Sequence, residues 1–288
     1  MSIDEARVRA ALARLVPPDE LPAQFLWQPL PGGVNARSVR VTFGNRDWAL
    51  RLPHQGAAGL LDVASEARVL TSAARADIAP RVVGIDVPSG VLATEYLVHA
   101  RPWDPVAARE AANVERVARL LRALHGVTTD APRYAAAAIA ESYLADPVFD
   151  RSRLEEQEVE WARDLSLLAQ RYDVRHPPSV LCHNDLVAAN VLDDGDLKLV
   201  DFEYAVLGAP ILDLAGLAAM NDYSAAQCAE LLGAYYGGEG APFSLDELAE
   251  VVRMLRLMAY FWARIGAARA GGSAGYARIA EEMLEFLK

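Results

Sequence analysis

The sequence predicts an α+β chain of two lobes, a small antiparallel β lobe first and a larger helical lobe after it. Three observations carry that expectation. Residues 25–97 hold short runs in which apolar and polar side chains alternate, punctuated by glycine-rich turns. Beyond residue 102 the apolar spacing becomes that of amphipathic helices. Inside the helical half one stretch, 181–205, reverts to two short strands.

In chain order, 4–16 reads as an amphipathic helix stopped by Pro17 and Pro18. "RSVRVTF" and "DWALRL" have the two-residue period of half-buried strands, with a turn at Gly44-Asn45 between them. Gly32-Gly33 marks an earlier turn. A helix over "GLLDVASEARVLTSAARAD" follows, and then two strands around Pro88-Ser89-Gly90. "VAAREAANVERVARLLRALHG" reads as one long helix, and "YAAAAIAESYL" and "SRLEEQEVEWARDLSLLAQRY" as two more. Everything beyond Asp213 reads as helix with glycine-rich joints. The lobes are expected at 1–97 and 98–288, with a ligand cleft at their junction.

Bulk properties bound the function. A chain of 288 residues with 53% hydrophobic and 23% charged content is ordinary for a globular protein. Its net charge of −11 opposes nonspecific nucleic-acid binding, which needs a basic surface, and suits a cationic small molecule. Two cysteines, Cys182 and Cys228, make neither a disulfide framework nor a zinc cluster. Their scarcity points to a reduced, cytoplasmic protein. No apolar run reaches the ~18 residues of a membrane span, and the N-terminus lacks the basic-then-apolar pattern of a secretory signal. Oligomeric state is not legible.

The chemistry concentrates in "LCHNDLVAANVLDDGDLKLVDFEYA", residues 181–205. A hairpin turning at Asp194-Gly195 should bring Asn190 and Asp201 side by side. An amide oxygen beside a carboxylate is a hard-oxygen pair suited to Mg²⁺. Asp185, five positions before Asn190, is placed to take a proton from a hydroxyl nucleophile. Protein kinases arrange phosphoryl transfer in this way, with the same Asp-to-Asn spacing. Each residue taken singly also fits a solvated polar hairpin; together, among apolar neighbours, they indicate phosphoryl transfer from ATP·Mg²⁺. A protein-kinase reading is disfavoured, because neither an activation segment nor an Ala-Pro-Glu landmark follows Asp201.

"LCHNDLVAANVL", "LKLVDFEYA" and "PILDLA" together resemble the choline/ethanolamine kinase branch of the aminoglycoside-phosphotransferase-like superfamily. The resemblance runs from about Gly32 to Trp262 and is strongest over 181–205. It implies a protein-kinase-like fold, with Asp185 as catalytic aspartate, Asn190 and Asp201 on the metal, and His183 supporting the loop. Gly32 and Gly33 would belong to the phosphate-covering hairpin, although Val34, Asn35 and Ala36 follow where the family commonly has Thr-Asn. Arg51 would pair with nucleotide phosphates and Glu66 would orient it; alone, each reads as a surface charge. Backbone groups near Glu95, Tyr96 and Leu97 would meet the adenine. His125 reads as structural, and His54, His99 and His176 support no metal site.

For the acceptor, the resemblance implies a quaternary ammonium held on aromatic faces near acids. Trp262 matches the family's late-helix tryptophan, with Tyr223, Tyr260, Asp222 and Glu203 as further candidates. The competing reading of these aromatics is a helical core stripe. Choline or a related amino alcohol is the expected acceptor. The alternatives are a kinase of the same fold for thiamine, an aminoglycoside, a sugar or another metabolite, and a catalytically silent kinase-fold binding protein.

Overall fold

The structure is a computed structural model that describes residues 3–31, 36–53, 62–149, 155–237, 240–269 and 274–287. The turn at Gly32 and Gly33, with Val34 and Asn35, lies outside these residues. By compactness the chain forms two units. The first comprises Met1–Trp103, Val127–Ala131 and Ala189–Ala205; the second comprises Asp104–Gly126, Pro132–Ala188 and Val206–Lys288. These units interleave along the chain, whereas the expected lobes are two consecutive stretches.

The first unit opens with α1 (Glu5–Leu15), β1 (Leu26–Pro29), β2 (Ala36–Phe43), β3 (Arg46–Pro53), α2 (Val63–Arg75), β4 (Val82–Asp86), β5 (Val91–Glu95) and the two-residue β6 (Arg101–Pro102). The first five strands make one antiparallel sheet in the order β1-β2-β3-β5-β4. Val39 and Val41 of β2 and Leu50 and Leu52 of β3 alternate onto one face. There they meet Val8 and Leu12 of α1, and this union is the core of the unit. Side chains two apart share a face of a strand, so the period read in the sequence is the one that buries them. Asp62 caps α2 by accepting from the Ser65 N–H at 2.9 Å.

The next helices are α3 (Pro105–Ala108), α4 (Ala111–His125), α5 (Ala136–Leu144) and α6 (Glu156–Arg175). The sequence reads α3 and α4 as one helix; the structure divides them. The Asn113 side chain donates to the Ala107 carbonyl at 2.9 Å, and Glu110 N–H bonds back to that same carbonyl three residues earlier. The helical ladder therefore closes at Ala108 and restarts. Val114, Val117, Ala118, Leu121 and Leu124 give α4 a continuous buried stripe.

Three short strands come next: β7 (Val180–Cys182), β8 (Val191–Asp193) and β9 (Leu197–Leu199), with a single 3₁₀ turn at Ala188–Asn190 before β8. The β8–β9 hairpin belongs to the first unit, paired with β6 and tied down where Leu199 N–H donates to Ile78 O at 2.8 Å. A tenth strand, β10 (Val206–Gly208), pairs antiparallel with β7 in the second unit. Three residues are too few to show a period, so β10 is not legible in the sequence. The chain ends in α7 (Pro210–Met220), α8 (Ala225–Tyr236), α9 (Leu245–Arg269) and α10 (Ala274–Leu287). No helix among the described residues is long and apolar enough to cross a membrane.

Leu50 is fully buried while Leu26 is 78% exposed. Leu50→Ala should cost about 2–5 kcal/mol in urea unfolding through lost transfer energy and the cavity left behind. Leu26→Ala should stay within about 0.5 kcal/mol. Equal effects at the two positions would contradict the described core.

Candidate active site

The sequence-derived residues fall into two groups, one in each unit. In the first unit Arg51 on β3 is the centre. Its Nη2 donates to Glu66 Oε2 of α2, and its Nη1 donates to Asp201 Oδ1 at 3.3 Å. Glu203 Oε2 lies 3.6 Å from the same Nη1. One planar guanidinium thus serves three carboxylates, which a fork can do and a point ammonium cannot do equally well. Glu66 is buried, and its second oxygen, Oε1, has no hydrogen-bond partner among the described residues. Burial pushes the Glu66 carboxyl above the usual carboxylate range; Arg51 opposes that, and the charge on Asp201 adds to it. Burial pulls Arg51 the other way, but Glu66, Asp201 and Glu203 outweigh it and hold the guanidinium more firmly protonated.

The hairpin sets Asn190 beside Val200, the residue before Asp201. Val191 faces Leu199 in the β8–β9 pairing, and Val200 N–H donates to Asn190 O at 3.0 Å. Asn190 is buried. Asp201 has φ +69°, a left-handed conformation that Asp tolerates better than most residues. Such outliers persist only where the surroundings impose them. At the other expected nucleotide contacts, Glu95 N–H and Tyr96 N–H are engaged by Arg81 O and Asp47 O, and Leu97 O accepts from Ala100 N–H. Gly32 and Gly33 lie outside the described residues.

In the second unit Asp185 sits half-buried on the loop after β7. The loop is held by Asp213 of α7, a residue fully buried. Asp213 Oδ2 accepts from His183 N–H and Oδ1 accepts from Asn184 N–H, both at 2.8 Å. His125 Nε2 lies 3.1 Å from Asp213 Oδ2, and His125 Nδ1 lies 2.7 Å from the Tyr235 hydroxyl. His125 is therefore a buried structural bridge. Cys182 joins His125 and Asp213 in a close trio. Burial raises its thiol well above the ordinary range, and both Asp213 oxygens already accept amide N–H groups, so the trio is a hydrogen-bonded support and its thiol a poor nucleophile.

The aromatic candidates separate. Tyr260 is core: its ring stacks edge-on with Trp161 and Phe261, and its hydroxyl donates to Glu158 at 2.7 Å. Tyr223 is buried, with its hydroxyl donating to Ala108 O at 2.6 Å. Asp222 is exposed and ion-paired with Arg256 at 3.1 Å. Trp262 is half-buried, its ring 5.1 Å edge-on from that of Tyr276 on α10. Sequence reasoning missed Tyr276 and the role of Asp213; "PILDLA" carried the latter as a motif without a function.

An antiparallel β region, a helical C-terminal part and carboxylates at the end of a late hairpin define a protein-kinase-like phosphotransferase. Residues 26–251 match the phosphotransferase enzyme family, and the chain belongs to it. Among solved structures it is similar to a choline/ethanolamine kinase family protein from Mesorhizobium loti, with 25% identity and a TM-score of 0.80 over 98% of this chain and 92% of that one. The choline kinase LicA from Streptococcus pneumoniae shares the fold at 18% identity and TM-score 0.76, over 92% of this chain and 94% of that one. Protein LicA of Haemophilus influenzae is 26% identical over 199 residues, 64% of this chain. The match spans about half of that curated relative, 55% of its length.

The raised Glu66 carboxyl sets a pH dependence. An acid whose folded pKa exceeds its unfolded value binds more protons when folded, so its contribution to stability falls as pH rises from about 4.5 through the folded value. Without added metal, the stability of the unmodified protein relative to Glu66→Gln should decline over that window in urea titrations. A pH-independent difference would contradict the burial of an ionising Glu66.

Proposed function

We propose that this protein is a small-molecule kinase that moves the γ-phosphoryl group of ATP to a hydroxyl of choline or a related amino alcohol. The observation that carries the reading is Arg51 forked between Glu66 and the Asp201–Glu203 end of the hairpin. Half-buried Arg51 draws three carboxylates toward one point, a cluster of hard oxygens. That donor set, with the neighbouring Asn190 amide, fits Mg²⁺. Asn190 and Asp201 would hold the ion, which supplies charge neutralisation on the phosphate oxygens.

The remaining chemistry belongs to the chain. Asp185 orients the acceptor hydroxyl and takes its proton as the hydroxyl oxygen bonds to phosphorus and the bond to the ADP oxygen breaks. Arg51 pairs with phosphate oxygens, and Glu66 keeps its fork oriented. Backbone groups near Glu95 and Leu97 receive the adenine, and Gly32 and Gly33 cover the phosphates. Glu203, Tyr223 and Trp262 are the residues assigned to the acceptor, and Tyr276 packs against the Trp262 ring. Catalysis is then mostly positioning and electrostatic stabilisation. The resemblance to choline and ethanolamine kinases supports the amino-alcohol acceptor, while the acidic balance of the chain suits cationic acceptors in general. We assign the reaction to the cytoplasm, where ATP is supplied and the free thiols of Cys182 and Cys228 stay reduced.

The test is ADP release from ATP and MgCl₂ with choline, ethanolamine, thiamine, aminoglycosides, sugars or no acceptor. Selective turnover with choline or ethanolamine is expected; selective turnover with another acceptor would overturn the amino-alcohol assignment. Asp185→Asn should lower kcat by about 10²–10⁴-fold while ATP binding persists. Undiminished turnover removes Asp185 from its role. Asp201→Ala should weaken Mg²⁺-dependent ATP binding. Trp262→Leu should raise the KM for choline by roughly tenfold, the worth of about 1–2 kcal/mol of cation–π contact, with little change in KM for ATP.

A further inference from the structure

We infer that Asn221, the residue that closes α7, is a positioning residue for Asp185; the inference rests on the kinase function proposed for this chain. Asp185 lies between three backbone groups held by one helix. Near the start of α7, Asp213 takes the N–H groups of His183 and Asn184. At its end, Asn221 Nδ2 donates to Leu186 O at 2.8 Å. The residues on both sides of Asp185 are therefore pinned to the same rigid element, most of whose residues are buried.

The ordinary reasons for an asparagine at this place do not apply. Asparagine often ends a helix because it tolerates left-handed φ, but Asn221 has φ −114°. Packing alone would be met by an apolar side chain, since Asn221 is only 2% exposed. Its Oδ1 is buried without a hydrogen-bond partner among the described residues, a liability of about 1–3 kcal/mol. What the amide supplies is two N–H groups. One is anchored on Leu217 O of its own helix at 2.8 Å, which sets the side-chain orientation. The other reaches the Leu186 carbonyl in a loop segment that is 1% exposed at Leu186. Asn184 has φ +62°, a left-handed conformation that asparagine tolerates better than most residues. Asp213 holds the loop on one side of Asp185 and Asn221 on the other.

The experiment compares the unmodified protein with Asn221→Ala, Asn221→Asp, Asp185→Asn and the Asp185→Asn/Asn221→Ala pair, using choline, ATP and MgCl₂. Asn221→Ala should lower kcat by about 10²-fold, the effect of a small misplacement of a reacting group, with the KM for ATP within about twofold. Asn221→Asp, which keeps the shape but turns an acceptor toward two carbonyls, should be no better. In the Asp185→Asn background Asn221→Ala should cost nothing further, because a positioning role ends with the group it positions. A full additive loss in that background, or a folded Asn221→Ala with unchanged kcat, overturns the inference. Undiminished turnover of Asp185→Asn alone overturns instead the catalytic assignment of Asp185.

Hydrogen exchange over residues 181–190 decides the matter without turnover. Faster exchange there in Asn221→Ala, at an unchanged thermal midpoint, supports the clamp; unchanged exchange contradicts it. If neither Asn221 variant folds, or if choline is not phosphorylated, the Asn221 side-chain amide of the unmodified protein is read by NMR. Slow exchange of its N–H₂ supports the donor role, and rapid exchange overturns it.

Discussion

One guanidinium set among three carboxylates constrains the rest of the first unit. Arg51 on β3, Glu66 on α2 and the Asp201–Glu203 segment after β9 come from three separate elements, and the charge on Arg51 draws their carboxylates together in a partly buried space. Drawing three acids toward one base is a costly way to stabilise a fold, because each ion loses hydration. The arrangement makes sense if more positive charge arrives with a ligand. The left-handed Asp201 points the same way: strain of about 1–3 kcal/mol is retained at sites where geometry matters more than stability.

The second unit solves a different problem, holding a loop rigid without regular structure. The β7–β10 ribbon is only three residues long on each side, too short to fix the loop that carries Asp185. The fixing is done by α7, whose Asp213 accepts two loop amides and is in turn backed by His125 and Tyr235. This network is buried and joined end to end, the condition under which polar groups in a core specify a conformation.

Much of this was legible from residue types and spacing, and the rest was hidden for identifiable reasons. The β region and the approach of Asn190 to the strand end that precedes Asp201 could be read because both depend on local period and on a short hairpin. The family resemblance over 181–205 was visible because motif residues lie within 25 positions. The α3–α4 break was missed because it hinges on one side chain, Asn113, reaching a carbonyl that periodicity does not see. Strand β10 was missed because three residues have no pattern. Asp213, Asn221 and Tyr276 act across tertiary contacts that composition cannot reveal: Asp213 and Asn221 lie 29 to 35 residues from the loop groups they bind. Tyr260 shows the converse: an aromatic at a suggestive position is drawn into the core by Trp161, Phe261 and Glu158. The contribution of Ala189–Ala205 to the first unit also ran against reading lobes as consecutive stretches.

The proposed function assigns phosphoryl transfer from ATP to this chain. The most direct test follows the phosphorus itself. ³¹P NMR of ATP, MgCl₂, choline and the purified protein should show the γ signal replaced by one equivalent of a phosphomonoester carried on choline. Release of inorganic phosphate alone, or ATP left intact with choline and with every other hydroxyl acceptor tried, would contradict the claim that this chain is a small-molecule kinase.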